Sequence, residues 1–342
     1  MRRIKGALPH RQLTETLSMT RSDATDILMT GPLMAYAADQ LKARYTVHEL
    51  WKAEDKAAFL REVGGRISGV AAGGGHNRVD GALFDALPKL EVISSFGVGY
   101  DHVDAAEAGR RGLVVTNTPD VLTDEVADLA LGLLIATVRQ LPQVDRYLRE
   151  GKWLKAAYPL TTSLRGRTVG IVGLGRIGKA VASRVEAFGL PVVYHGRSRQ
   201  ADVAYRYYPS LVEMAQDVDT LISVAPGGAS THHIINAEVL KALGPNGIVV
   251  NVGRGTVIDE MALVEALQNK TILSAGLDVF EDEPRVPAEL IAIEHAVLLP
   301  HVGSASVHTR QAMGQLLVDN LGSWFDGKGP LTPVAETPWK KG

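Results

Sequence analysis

At 342 residues the chain exceeds the usual size of one hydrophobic core, so two domains, each burying its own interior, are expected. Thirty-six Lys plus Arg against 38 Asp plus Glu leave a formal charge of −2, which offers no global field to gather nucleic acid or anionic lipid. With no cysteine, a disulfide scaffold, a thiolate nucleophile and a Cys-ligated zinc are all excluded.

The leader "MRRIKGALPHRQLTETLS" is basic and lacks the continuous apolar core of a secretory signal. Residues 1–21 read as a tail, an upstream start or a weak organelle-targeting peptide, and the fold is expected to begin near Ser22. From residue 26 short apolar runs, "DILMTG", "RISGVAAGGG", "LEVISSFGVG" and "GLVVTNTP", end in Gly or Pro turns and read as strands. Amphipathic segments at 33–44 and 80–87 alternate with them, the rhythm of a parallel sheet with crossover helices. Thr123 is the expected N-cap of a long helix over 124–149. Its apolar part, "VADLALGLLIATVRQL" (126–141), carries Asp128 and Arg139 and is too short for a bilayer, so it is predicted to be buried in protein. A domain junction is expected at 118–123, and "GKWLKAAYPLTTSLRGR" interrupts the rhythm.

A second series follows: "TVGIVG", "PVVYHG", "DTLISVAP", "GIVVNVG", "LSAGLDVF" and "AVLLP", with helices such as 176–188 and 259–268 between them. The closing "SVHTRQAMGQLLVDNLGSWFDG" is long enough to return to the first domain. The expected class is α/β, with two Rossmann-like doubly wound parallel-sheet domains and a cleft between them. Residues 22–122 plus 306–335 would form a flavodoxin-like substrate domain, 123–305 a nucleotide-binding domain, and 336–342 a tail.

Gly173-Leu174-Gly175-Arg176-Ile177-Gly178 follows a predicted strand and opens a predicted helix, the context that gives a Gly-x-Gly-x-x-Gly pattern its meaning. Gly173 makes the tight turn, Gly175 lets the backbone approach a pyrophosphate, and Gly178 lets helix and strand pack closely. The helix N-terminus adds free N–H groups and partial positive charge. An NAD site expects Asp or Glu about 20 residues beyond the first glycine. Residues 192–200 read "VVYHGRSRQ" and hold no acid. Gly196, Arg197, Ser198 and Arg199 offer instead guanidinium and hydroxyl groups suited to a phosphate dianion, which points to NADPH over NADH.

Arg254 in "NVGRGTVIDE", Glu283 in "GLDVFEDEP" and His301 in "LLPHVGSAS" each stand just after an apolar run. Open parallel sheets bind ligands outside their strand carboxyl ends, so all three are expected to face one cleft. The turns "SSFGVGYD", with the N–H groups of Val98 and Gly99, and "AAGGG", with Gly74, could receive an anion on the other wall. His232-His233 and Asp101-His102-Asp104 invite a metal reading. Adjacent histidines are expected to point apart and no third ligand has suitable spacing, so no metal site is predicted.

"GLGRIG", "NVGRG", "LDVFEDEP" and "PHVGS" stand in one order, with separations of 29 (283 − 254) and 18 (301 − 283). On these motifs the chain resembles the D-2-hydroxyacid dehydrogenases from residue 26 to 335. "SFGVGYDHVD", "VTNTPDVLTDEVADLALGL" and "LTPV" are further similar to the NADPH-preferring glyoxylate, hydroxypyruvate and hydroxyphenylpyruvate reductases of that family. The resemblance implies NADPH-dependent reduction of small 2-oxo acids to D-2-hydroxy acids by a cytoplasmic homodimer, with NADH as a weaker donor and no nucleic-acid or membrane partner. It implies His301 as proton donor, Glu283 as the group that holds its tautomer and favours its charged form, and Arg254 as the clamp on substrate carboxylate and carbonyl. Asp278 would contact the nicotinamide carboxamide. Thr123, Ala225, Pro226, Thr231, Val252, Gly253 and Gly303, with Arg254 and His301, would complete the cofactor contacts. In related reductases a tryptophan near Trp153 reaches the partner's site. The alternatives are another family member, such as a phosphoglycerate or phosphonate dehydrogenase, and a non-catalytic nucleotide-sensing corepressor.

Overall fold

A computed structural model describes residues 25–73 and 77–339, so the expected leader and Gly74 lie outside the described residues. The first half alternates β1 (Asp26–Met29), α1 (Ala35–Arg44), β2 (Thr46–Glu49), α2 (Lys56–Val63), β3 (Ile67–Ala72), α3 (Gly81–Ala86), β4 (Val92–Ser95), α4 (Ala105–Arg110) and β5 (Val114–Thr116). These strands form one parallel sheet in the order β2-β1-β3-β4-β5, the flavodoxin-type winding.

Two helices, α5 (Thr123–Arg139) and α6 (Leu141–Arg149), then lead to the second half. It runs β6 (Val169–Val172), α7 (Arg176–Ala187), β7 (Val192–His195), β8 (Arg206–Tyr208), α8 (Leu211–Asp217), β9 (Thr220–Ser223), α9 (Ala237–Leu243) and β10 (Ile248–Asn251). After these come α10 (Glu260–Gln268), β11 (Ser274–Leu277), α11 (Ala288–Ile291), β12 (Val297–Leu298) and α12 (Val307–Phe325). Seven parallel strands take the order β12-β11-β10-β9-β6-β7-β8. The winding reverses between β6 and β9, which makes a crevice at their carboxyl ends.

Two strands escaped the sequence reading. "TVHE" (β2) and "RYY" (β8) are edge strands; β2 is only partly buried throughout and β8 buries Tyr208 alone, so neither shows the apolar run that would reveal it. The single helix expected over 124–149 is two helices. Gln140 takes a left-handed φ of 51° and Pro142 sits in the first turn of the next helix, which ends one ladder and starts another. Thr123 is also not a cap: it is the first residue of α5, and no side chain caps that helix. Asp124 and Glu125 in its first turn offset the exposed N–H dipoles instead.

The apolar face of α5, including Val126, Ala130, Leu133 and Leu134, joins the core beneath the second sheet and packs on α7, β10 and β11. Arg167, almost fully buried, anchors the start of that sheet by donating to the carbonyls of Ser163, Asp219 and Asn246. From the far end of the chain, α12 crosses back over α1, β3 and β4. Its Leu317 and Leu321 sit in the core of the first sheet, and its Met313 in that of the second. Residues 336–339, read from sequence as part of a tail, pack on the first sheet: the Thr337 hydroxyl is buried against Val115, and Trp339 meets Trp324 edge-on. Among the described residues no helix is long and apolar enough to cross a membrane.

Candidate active site

Gly173 follows β6 with a left-handed φ of 96°, which turns the chain into α7. A Cβ at Gly178 would overlap the carbonyl oxygen of Gly173, so the first turn of α7 can only seat this closely with glycine. At Gly175 a Cβ would meet nothing within 4 Å, so the backbone there faces free space beside the N–H groups of the helix. That is the geometry a pyrophosphate requires. Around it, Gly253 packs against the carbonyl oxygen of Ala225, and the Thr231 hydroxyl closes the 226–231 turn on Pro226 at 2.7 Å. Val252 and Ala225 are buried, and Thr123 begins α5.

Beyond β7, Gly196 is partly buried while Arg197, Ser198 and Arg199 are exposed. The loop folds back over the glycine turn, because Gln200 donates from its side chain to the Leu174 carbonyl at 2.7 Å and from its backbone to the Tyr194 hydroxyl at 2.7 Å. The nearest acid after this strand, Asp202, is held by Lys179 of α7 at 2.6 Å. The strand end therefore presents two cations and a hydroxyl, the donor set for a phosphate dianion.

The three candidate catalytic groups converge. His301 adopts φ 52° after its backbone N–H bonds to the Asp278 carbonyl, and its Nδ1 lies 2.6 Å from Glu283 Oε2. Glu283 Oε1 accepts from the Phe280 N–H at 3.0 Å. Burial opposes the charge on Glu283, but the His301 contact, the Phe280 amide and the nearby Arg254 outweigh it and hold the carboxyl below its usual range. With Nδ1 engaged, Nε2 is the nitrogen left to act on a ligand. Asp278, expected to contact the nicotinamide carboxamide, is almost fully buried, and both of its oxygens accept backbone N–H groups, from Val302 and Gly303, at 2.7 Å. Its carboxylate shapes the turn that carries His301. Burial pushes its pKa up despite those two hydrogen bonds.

Arg254 reaches across the cleft. Its guanidinium lies against Gly99, where a Cβ would overlap it, and Nε donates to Asp101 Oδ2 at 2.7 Å. The turn it meets is fixed from behind by Asn117, which donates to the Val98 carbonyl at 2.8 Å, and by Thr118, which accepts from the Gly97 N–H at 3.0 Å. Val98, Gly99 and Arg254 are thus brought together. Gly73 of the second glycine turn packs on Gly31. Sequence reasoning missed Asp101 as Arg254's partner, Asn117 and Thr118 as supports, and Gln200 as the latch. Only Asp101 carried a signal, its place inside "SFGVGYD".

The metal reading needs a correction. His233 has a left-handed φ of 52°, which folds its ring over that of His232, with centroids 3.9 Å apart and planes 29° from parallel. A third donor arrives from a distant loop: His233 Nε2 is 2.7 Å from Glu281 Oε1. The expectation that neighbouring histidines diverge holds for regular strands and helices, not for a left-handed turn. His102 is spent differently, its ring lying 3.4 Å from the Ser95 hydroxyl, and Asp104 caps α4.

The profile of the D-isomer specific 2-hydroxyacid dehydrogenase NAD binding domain matches residues 131–303. Glyoxylate/hydroxypyruvate reductase A of Arabidopsis thaliana is 45% identical over 312 residues, covering 91% of this chain and 99% of that protein. Hydroxyphenylpyruvate reductase of Plectranthus scutellarioides is 47% identical over 312 residues, with the same coverage. The crystal structure of an NADPH-dependent glyoxylate/hydroxypyruvate reductase from Sinorhizobium meliloti, in complex with NADP and malonate, superposes with a TM-score of 0.86 at 50% identity. It covers 92% of this chain and 98% of that one.

Proposed function

The chain belongs to the D-isomer specific 2-hydroxyacid dehydrogenase family, and on that premise we propose that it reduces small 2-oxo acids with NADPH. Glyoxylate and hydroxypyruvate are the substrates it would take first, with hydroxyphenylpyruvate a third, and D-2-hydroxy acids the products. The observation that carries this reading is the His301–Glu283 pair at 2.6 Å in a cleft that also holds Arg254 against a glycine turn.

NADPH, when bound, supplies the hydride that reduces the carbonyl carbon. Gly175 and the first turn of α7 would hold its pyrophosphate, and Arg197, Ser198 and Arg199 its 2′-phosphate. Arg254 would exchange Asp101 for the substrate carboxylate, with the N–H groups of Val98 and Gly99 beside it, and polarise the carbonyl oxygen. His301, protonated, would give its Nε2 proton to that oxygen, while Glu283 fixes Nδ1 and favours the charged ring. Asp278 would act through the 301–303 turn that it shapes. The proposal extends to a homodimer acting in the cytoplasm. Exposed apolar side chains on α6 and the following linker, Leu148, Trp153, Leu154 and Leu160, support the dimer because contiguous exposed apolar surface marks a face that a partner covers.

The test is a spectrophotometric panel following NADPH and NADH oxidation with glyoxylate, hydroxypyruvate, pyruvate and hydroxyphenylpyruvate. NADPH-dependent turnover is expected with the first two. Nucleotide binding without turnover of any 2-oxo acid would overturn the reading and leave a nucleotide sensor on a dehydrogenase fold. In the same assay Arg197→Ala should weaken NADPH about tenfold to a hundredfold and NADH little, since only NADPH carries the phosphate. Equal losses would mean that Arg197 supports the fold instead.

A further inference from the structure

We infer that His232, His233 and Glu281 form a binding site for one divalent ion of the zinc class, built from none of the three proposed catalytic groups. One donor atom from each residue lies within 4.8 Å of the other two. Metal–ligand bonds of about 2.0–2.2 Å place tetrahedral donors roughly 3.3–3.6 Å apart, so a shared centre needs only side-chain rotations. Glu281 and His232 are exposed and have that freedom. His233 and Glu281 already meet at 2.7 Å, and an ion would take the place of the proton they share. Two imidazoles and one carboxylate select zinc, nickel or copper over magnesium or calcium, which prefer all-oxygen shells. The fourth position falls to water.

The surroundings favour a cation and hold the donors together. Asp282 and Glu260 neighbour Glu281, and Arg285, four residues further on, is paired with Asp282 at 2.7 Å. The histidine turn is stitched to the next loop, with the His233 N–H on the Thr256 carbonyl at 2.8 Å and the Ile235 N–H on the Val257 carbonyl at 3.1 Å. That loop in turn packs on the chain bearing Glu281, since a Cβ at Gly255 would overlap the Phe280 carbonyl group. An ion bound here ties the loop after β9 to the loop after β11, and the loop after β10 packs against both. The loop after β11 carries Glu283 two residues beyond Glu281.

The experiment uses untagged full-length protein, stripped with a chelator and titrated with zinc chloride against a chromophoric competitor. One zinc per chain is expected, with no competition from magnesium. His232→Ala, His233→Asn and Glu281→Gln should each weaken zinc at least about tenfold, as loss of a direct ligand requires. Asparagine at 233 tolerates the left-handed backbone while removing the imidazole. Zinc should also slow amide hydrogen exchange over residues 279–285 in the wild-type protein and not in Glu281→Gln. Absence of zinc binding in the wild type overturns the inference. So does wild-type affinity in His232→Ala, a variant whose exposed ring leaves the fold intact.

Discussion

Arg254 shows how one side chain acquires its place. The sequence puts it after β10, but its orientation is set by Asp101 and by the missing side chain at Gly99, both from the other sheet. A guanidinium can hold a carboxylate with two parallel bonds and still reach a neighbouring oxygen, whereas an ammonium is a compact point charge. Arg254→Lys is therefore expected to raise KM for the 2-oxo acid and lower kcat, with NADPH affinity and Tm little changed. Steady-state kinetics with glyoxylate decide this, and unaltered values would remove Arg254 from the proposed clamp. His301 and Glu283 form a second unit. Reduction needs the charged imidazole, and Glu283→Gln removes the negative partner at 2.6 Å, so kcat for reduction should fall while NADPH affinity holds. Because the Glu283 carboxyl is held below its usual range, the wild-type pair persists through mildly acidic pH and is lost only as pH falls through that lowered value. An unchanged kcat in Glu283→Gln would show the two groups to be uncoupled.

At the scale of elements, the β6–α7 turn separates two uses of glycine. Alanine at Gly178 must push α7 away from the Gly173 carbonyl, and a loss of roughly 1–3 kcal/mol in urea unfolding is expected. Alanine at Gly175 meets no protein atom and has an ordinary φ of −80°, so stability should hold while NADPH affinity falls, because the methyl would intrude on the proposed pyrophosphate site. Equal NADPH affinity in Gly175→Ala would argue that this backbone does not face the cofactor. The elements that escaped the sequence share one cause. The edge strands β2 and β8 bury little, so they lack the apolar runs that mark the inner strands. The break at Gln140 depends on a left-handed residue other than glycine, which composition does not announce.

For the whole molecule, the exposed apolar surface of 141–160 is the feature that a monomer leaves unexplained. Leu148 and Leu154 are 54% and 92% exposed. If the proposed dimer covers them, Leu148→Asp with Leu154→Asp should shift the protein to a monomer in sedimentation velocity without loss of its α/β circular dichroism. A double variant that sediments as the wild type does would remove this face from the interface.

Within the chain, much was legible beforehand. The inner strands, the glycine turn, the return of the last helix and the convergence of Arg254, Glu283 and His301 on one cleft all follow from local pattern, because apolar periodicity and strand-end position are properties of short segments. The tertiary structure alone decided what joins across segments. It gave Arg254 its partner Asp101, committed both oxygens of Asp278 to the turn bearing His301, and brought Glu281 to a histidine pair 48 residues away in sequence. Such contacts depend on the relative placement of loops from different strands and sheets, and on left-handed backbone at His233 and His301, neither of which hydropathy or spacing encodes.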